Sequence, residues 1–246
     1  MSDHDLAARL ATEAGALLLD IRAELSGASA EERKAAGDKR SHDFLLAALT
    51  AERPDDEVLS EEGPEEDADP ERLSAQRVWI VDPLDGTREF SELGRSDWAV
   101  HVALWEAGEL VAGAVALPAQ GVTLATPTVI APPVAPAAPR VVVSRTRPPA
   151  IALAVKDALN GTLVEMGSAG AKVASVVQGL SDVYVHAGGQ YEWDSAAPVA
   201  VARAAGLHTS RLDGSPLVYN QRDSKLPDLI VCRPELADAV LAVTAG

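Results

Sequence analysis

Val78-Trp79-Ile80-Val81-Asp82-Pro83-Leu84-Asp85-Gly86-Thr87-Arg88-Glu89-Phe90 is the stretch whose reading decides the fold. The apolar run Val78 to Val81 predicts a short buried strand, and Pro83 should stop it because proline donates nothing to a sheet ladder. The strand then delivers two carboxylates, Asp82 and Asp85, on a tight turn. Gly86 lets the backbone bend there and leaves amide N–H groups free to meet an anion. Carboxylates this close repel, so one must take a proton, meet a base or share a cation. The nearest base in sequence, Arg88, lies beyond the turn. Oxygen donors with no neighbouring His or Cys suit a hard cation, Mg²⁺ first, with Mn²⁺ or Ca²⁺ behind it. An Asp-Pro turn that merely caps a strand is the other reading, and the stretch alone leaves both open.

Upstream, the pattern of a strand ending in acids occurs once more. Val58-Leu59 predicts a strand and Ser60-Glu61-Glu62-Gly63 a turn after it; Pro64 to Glu71 then reads as a solvated acidic loop. Before it, Leu6, Leu10, Ala14, Leu17, Leu18, Ile21 and Leu25 recur at helical spacing. A second helix carrying Phe44, Leu45, Leu46 and Leu49 is expected to follow Gly37-Asp38 and end before Pro54, with Asp38 capping its start.

The 246 residues are 47% hydrophobic, enough for a substantial core, and carry a formal charge of −16. That charge opposes binding to nucleic-acid polymers or anionic membranes. The start, Met1-Ser2-Asp3-His4-Asp5, lacks a basic leader pattern, and a soluble, cytoplasmic protein is expected. Cys232 is the single cysteine, in an apolar run, and reads as a core residue.

Downstream, Trp98 to Trp105 and Leu110 to Leu117 predict a long hairpin, with His101 inside it as a core or edge residue, and Val122 to Ala125 a further strand. The proline-rich segment 131–139 is the expected connection between an N-terminal α+β part, 1–130, and a C-terminal α/β part, 140–246. In the latter, strands over Arg140–Ser144, Thr162–Met166, Asp182–Val185, Leu207–Thr209 and Asp228–Cys232 alternate with helices. Gly167-Ser168-Ala169-Gly170-Ala171-Lys172 opens one helix, as an ordinary cap or an anion seat. Glu192-Trp193-Asp194-Ser195-Ala196-Ala197-Pro198 opens another; Pro198 belongs in a first turn, so a start at Ser195 to Ala197 is expected, with Asp194 at its mouth.

Taken together, Glu61-Glu62, Asp82-Pro83-Leu84-Asp85-Gly86-Thr87 and Trp193-Asp194-Ser195-Ala196-Ala197 resemble the signature of the Mg²⁺-dependent, lithium-sensitive phosphatases typified by inositol monophosphatase. The resemblance runs through most of the chain and implies a layered αβαβα sandwich. It also implies that Glu61, Asp82, Asp85, Asp194 and the carbonyl of Leu84 hold two Mg²⁺ ions, with Asp38 at a weaker third position. Mn²⁺ would substitute, and Li⁺ and Ca²⁺ would inhibit. Glu61 and Thr87 would orient the attacking water, while Asp82 joins them in the catalytic set and the amides of Gly86 and Thr87 receive the phosphate.

Arg88-Glu89-Phe90 resembles the Lys/Arg-Glu-Phe of the 3′(2′),5′-bisphosphate nucleotidases within this group, and Pro216-Leu217-Val218-Tyr219-Asn220 resembles their tail. The implied reaction is removal of the 3′-phosphate from 3′-phosphoadenosine 5′-phosphate, as in bacterial sulfate assimilation. An inositol or fructose bisphosphate phosphatase is the alternative enzyme, and a catalytically idle metal or nucleotide binder the alternative class. Substrate contacts are expected from Asp85, Gly86, Thr87, Arg88, Ser168, Lys172, His186, Glu192 and Arg222. Lys172 and Arg222 are the candidates for a second phosphate; His186 stands where these nucleotidases often carry Arg. A homodimer is expected, as in some members of the group.

Overall fold

In a computed structural model, residues 1–63, 70–130 and 138–245 are described. The fold is built on two five-stranded sheets. The first is formed by β1 (Glu57–Ser60), β2 (Arg77–Asp85), β3 (Ala99–Glu106), β4 (Glu109–Leu117) and β5 (Val122–Ala125), side by side in that order. β1 runs parallel to β2, and the remaining neighbours are antiparallel.

The second sheet contains β6 (Arg140–Ser144), β7 (Thr162–Met166), β8 (Val183–Tyr191), β9 (His208–Ser210) and β10 (Lys225–Cys232), in the spatial order β7-β6-β8-β10-β9. β6 is parallel to both neighbours.

Alternation along the strands sorts the side chains into layers. Trp79 and Val81 of β2 share a cluster with Leu6, Leu10 and Leu18 of α1 (Asp3–Glu24) and Leu45 and Leu49 of α2 (Ala30–Glu52). Val78 and Ile80 face the other way, into a cluster with α6 (Ala169–Val177) and α7 (Glu192–Ala204). That cluster continues to Val142, Tyr184, Leu229 and Val231 of the second sheet. On the far face, Val141, Val143 and Ile230 pack with α5 (Ala150–Ala158) and α8 (Ala237–Thr244). The result is an αβαβα sandwich. Each buried large aliphatic side chain contributes about 1.5–3 kcal/mol to this packing.

Each sheet comes from one half of the chain, but α6 and α7 fill the layer between the sheets, so the halves share a core. Residues 131–137 of the expected connection, and 64–69 of the expected acidic loop, lie outside the described residues.

Three sequence expectations require correction. Pro83 does not end β2: the strand runs on to Asp85 through a register shift, with Asp82 opposite His101 and Asp85 opposite Ala99. The extra residue forms a bulge, where the missing proline N–H costs no ladder bond. Asp38 does not cap α2, which starts at Ala30 with a Ser29–Glu32 capping box, leaving Asp38 in its third turn. Gly37 beside it is a close-approach residue, because a Cβ there would meet Leu84 Cδ2 and Phe90 Cε1, each at 2.8 Å. Finally, α7 begins at Glu192, placing Asp194 within its first turn and Pro198 inside the helix.

Candidate metal centre and substrate cavity

The bulge in β2 gathers the acids. Asp82 and Asp85 leave it on the same edge, and Asp194 of α7 comes up from the middle layer to join them. One carboxylate oxygen from each of these residues lies within 4.8 Å of the others. Glu61 follows β1, whose last residue, Ser60, is paired with Val81 immediately before Asp82. Ser41 of α2 steadies the turn by donating from Oγ to the Pro83 carbonyl at 2.7 Å.

Electrostatics distinguish the acids. Burial, followed by the charges of Glu61, Asp85 and Asp194, raises Asp82 well above the usual carboxylate range; a hydrogen bond from the Leu84 amide at 3.0 Å only partly offsets this. Burial and the charge of Asp85 push Asp194 up to about 6. Glu61 is pushed up to about 7 by crowding from surrounding protein and by the Asp194 charge, although the residue as a whole stays exposed and outside the group of three carboxylates. Asp38 rises to about 6 through burial and the nearby Glu62 charge.

Asp85 goes the other way. Burial alone would raise it, but His101, Ser168 and the Gly170 amide bring it down to about 2. Its Oδ2 accepts Ser168 Oγ at 2.5 Å and the Gly170 amide at 2.6 Å, and its Oδ1 accepts the Ala169 amide at 3.1 Å. The N-terminus of α6 therefore holds this carboxylate in its ionised form.

His101 is the residue that sequence reading missed. It occupies the core as expected, fully buried, but its Nε2 sits 3.2 Å from Asp85 Oδ2 and its Nδ1 3.0 Å from the Trp193 carbonyl. The Asp85 contact falls short of hydrogen-bond alignment, and Nε2 has no other hydrogen-bond partner among the described residues. Burial opposes charging of the imidazole, yet the Asp85 contact and the Trp193 carbonyl leave it raised above the ordinary histidine value.

The donor set fits a hard divalent cation: buried carboxylate oxygens, mutual repulsion, and no Lys or Arg ion-paired to Asp82 or Asp194 among the described residues. Asp194 spends one oxygen on the Tyr191 amide at 2.7 Å, leaving lone pairs on the other. Thr87 Oγ1 lies 3.3 Å from the Leu84 carbonyl and 3.5 Å from Asp38 Oδ1, which ties Asp38 to the turn from the side.

A cavity of about 450 Å³ opens above this floor, bordered by Asp85, Gly86, Ser168, Lys172, His186 and Asp194. Gly86 has φ +85°, and a Cβ there would meet Ser168 Cβ at 3.0 Å, so a glycine is required. Lys172 donates to the Gly167 carbonyl at 3.0 Å and lies 5.4 Å from the Tyr184 ring centroid, its pKa lowered by burial. His186 is likewise lowered by burial, with its Nε2 3.2 Å from the Gly189 carbonyl.

The other expected substrate contacts lie elsewhere. Arg222 and Arg88 are exposed and do not line the cavity. Glu192 is buried and accepts the Asn220 and Gln221 amides at 2.6 and 2.7 Å, so it fastens a loop and does not face the cavity. Arg147 does line the cavity, and nothing in its sequence surroundings marked it.

Residues 4–129 and 136–244 match the model of the inositol monophosphatase family. The chain belongs to that family. Its members are metal-dependent phosphatases, in keeping with the carboxylate cluster. The chain is 52% identical over 242 residues to a 3′-phosphoadenosine 5′-phosphate phosphatase of Mycobacterium tuberculosis, covering 95% of this chain and 90% of that protein. It is 32% identical to the 3′(2′),5′-bisphosphate nucleotidase CysQ of Escherichia coli over 202 residues, covering 78% and 81% of the two chains. The crystal structure of CysQ from Bacteroides thetaiotaomicron superposes with a TM-score of 0.76 at 27% identity, covering 93% of this chain and 96% of that one. Among the described residues, no helix is long and apolar enough to cross a membrane.

Proposed function

We propose that this inositol monophosphatase family member removes the 3′-phosphate of 3′-phosphoadenosine 5′-phosphate, yielding AMP and phosphate, with Mg²⁺ as the working ion. The observation that carries the proposal is the convergence of Asp82, Asp85 and Asp194 beside a cavity that Asp85, Asp194 and Lys172 line. The identity with the mycobacterial phosphatases supports the choice of substrate.

Asp82, Asp85, Asp194, Glu61 and the Leu84 carbonyl would hold two ions, and Asp38 a weaker third. Bound there, divalent cations would supply charge neutralisation for the phosphoryl oxygens and lower the pKa of water. The chain's own groups do the rest. Glu61 would accept the proton of the attacking water, and the Thr87 hydroxyl would orient that water beside it. The Gly86 and Thr87 amides steady the phosphoryl group as water adds to phosphorus and the bond to the 3′-oxygen breaks. Mn²⁺ would replace Mg²⁺, Ca²⁺ and Li⁺ would inhibit, and the substrate would be a small phosphate ester, acted on in the cytoplasm by a homodimer.

Phosphate release from the nucleotide, measured with Mg²⁺ and again after chelation, tests this reading. Metal-dependent release supports it; Mg²⁺-dependent nucleotide binding by calorimetry without release would mean an idle binder.

A further inference from the structure

The loop after β6 is tied down by Arg145. Its Nε donates to Glu89 Oε1 and its second guanidinium nitrogen to Glu92 Oε1, each at 2.7 Å. Glu89 is itself fixed: it is buried, and it presses so closely on Gly167 that a Cβ there would meet Glu89 Cγ at 2.2 Å. The loop is also braced internally, the Arg147 amide donating to Ser144 Oγ at 3.3 Å. Arg147, two residues beyond the clamp, and Ser144, one before it, border the same cavity as Lys172 and Asp194.

The cavity's basic groups are not equivalent. Lys172 is buried and engaged with the Gly167 carbonyl, and His186 has an ordinary value near neutrality lowered further by burial. The Arg147 guanidinium is exposed and takes part in no hydrogen bond or ion pair among the described residues. An unengaged guanidinium bordering the cavity that Ser144 also lines is a fork suited to a phosphate, in a chain whose net charge of −16 would otherwise repel one.

We propose that Arg147, presented by the clamp of Arg145 on Glu89 and Glu92, binds the non-reacting phosphate of a bisphosphorylated nucleotide and sets the preference for it over a monophosphate. The inference rests on the phosphatase reading above, and it gives Glu89 of the Arg88-Glu89-Phe90 motif a structural task at a distance from the reacting phosphate.

The test compares kcat/KM on 3′-phosphoadenosine 5′-phosphate and on adenosine 3′-monophosphate, which differ only in the second phosphate. Wild type should favour the bisphosphate. Arg147→Ala should lower that ratio by roughly ten- to a hundredfold, carried mainly by KM. Arg147→Lys should recover part of the ratio, since it restores charge without the fork. An unchanged ratio in Arg147→Ala, or a wild-type ratio near one with turnover of both substrates, overturns the inference and leaves the phosphatase reading standing. No turnover of either by wild type overturns the phosphatase reading and the inference with it.

Discussion

His101 Nε2 stands 3.2 Å from Asp85 Oδ2 and fills the notch left by Gly170, where a Cβ would come within 1.9 Å of that nitrogen. One side chain of β3 thus meets the second carboxylate of the bulge, the start of α6 and, through the Trp193 carbonyl at 3.0 Å, the first turn of α7. Its chemistry is indirect: it keeps Asp85 ionised and aimed.

Replacing His101 with Leu should therefore weaken divalent-cation binding and lower kcat by about ten- to a hundredfold, the range for supporting partners of metal ligands. Titration calorimetry with Mg²⁺ and initial rates check both. Wild-type metal affinity in His101→Leu would remove the positioning role.

Gly170→Ala should destabilise the fold by about 1–3 kcal/mol, because the methyl group meets a ring packed on every side. Chemical denaturation at fixed Mg²⁺ measures this. In a His101→Ala background the added cost of Gly170→Ala should largely vanish, since the clash disappears with the ring.

Glu192→Gln should cost about 2–4 kcal/mol, since a buried carboxylate that receives the Asn220 and Gln221 amides loses its charge. Arg72 also reaches this loop, donating to Asn220 Oδ1 at 2.5 Å, so the damage should spread to α3 (Pro70–Ser74). Hydrogen exchange at 70–74 and 219–221 reads it out. Protection equal to wild type in both segments would contradict it.

Without metal, stability should depend on pH in an unusual direction. Glu61 at about 7, and Asp38 and Asp194 at about 6, all lie above their unfolded values, so the folded chain binds more protons than the unfolded chain between about pH 4 and 7. Stability must then fall as pH rises through that window. The Tm of chelator-treated protein should be higher at pH 6 than at pH 8, and Mg²⁺ should raise it most at pH 8, where cations no longer compete with protons. A chelated protein more stable at pH 8 would contradict this account. Asp82→Asn removes one buried repulsion; its chelated form should outmelt wild type at pH 8 while losing most of the Mg²⁺-induced rise.

Much of the fold is readable because alternation is strict where both faces of a sheet are covered: Val78 and Ile80 against Trp79 and Val81 already define two core layers. Proline misled twice. Pro83 was tolerated by a bulge and Pro198 by a helix interior, so local rules placed both boundaries wrongly. Asp82, Asp85 and Asp194 were visible as strand-end and helix-start acids. His101 was hidden because its partners, Gly170 and Trp193, lie far along the chain, and its strand position looked like ordinary core. Arg147 sits in an irregular loop whose placement depends on Arg145 reaching Glu89, a pairing that no spacing encodes.

The central claim is tested most directly by kcat/KM of the purified chain with Mg²⁺ on 3′-phosphoadenosine 5′-phosphate, inositol 1-phosphate and fructose 1,6-bisphosphate. A preference for the nucleotide of a hundredfold or more is expected, about 2.7 kcal/mol of discrimination. Comparable rates on all three, or a preference for either sugar phosphate, would contradict it.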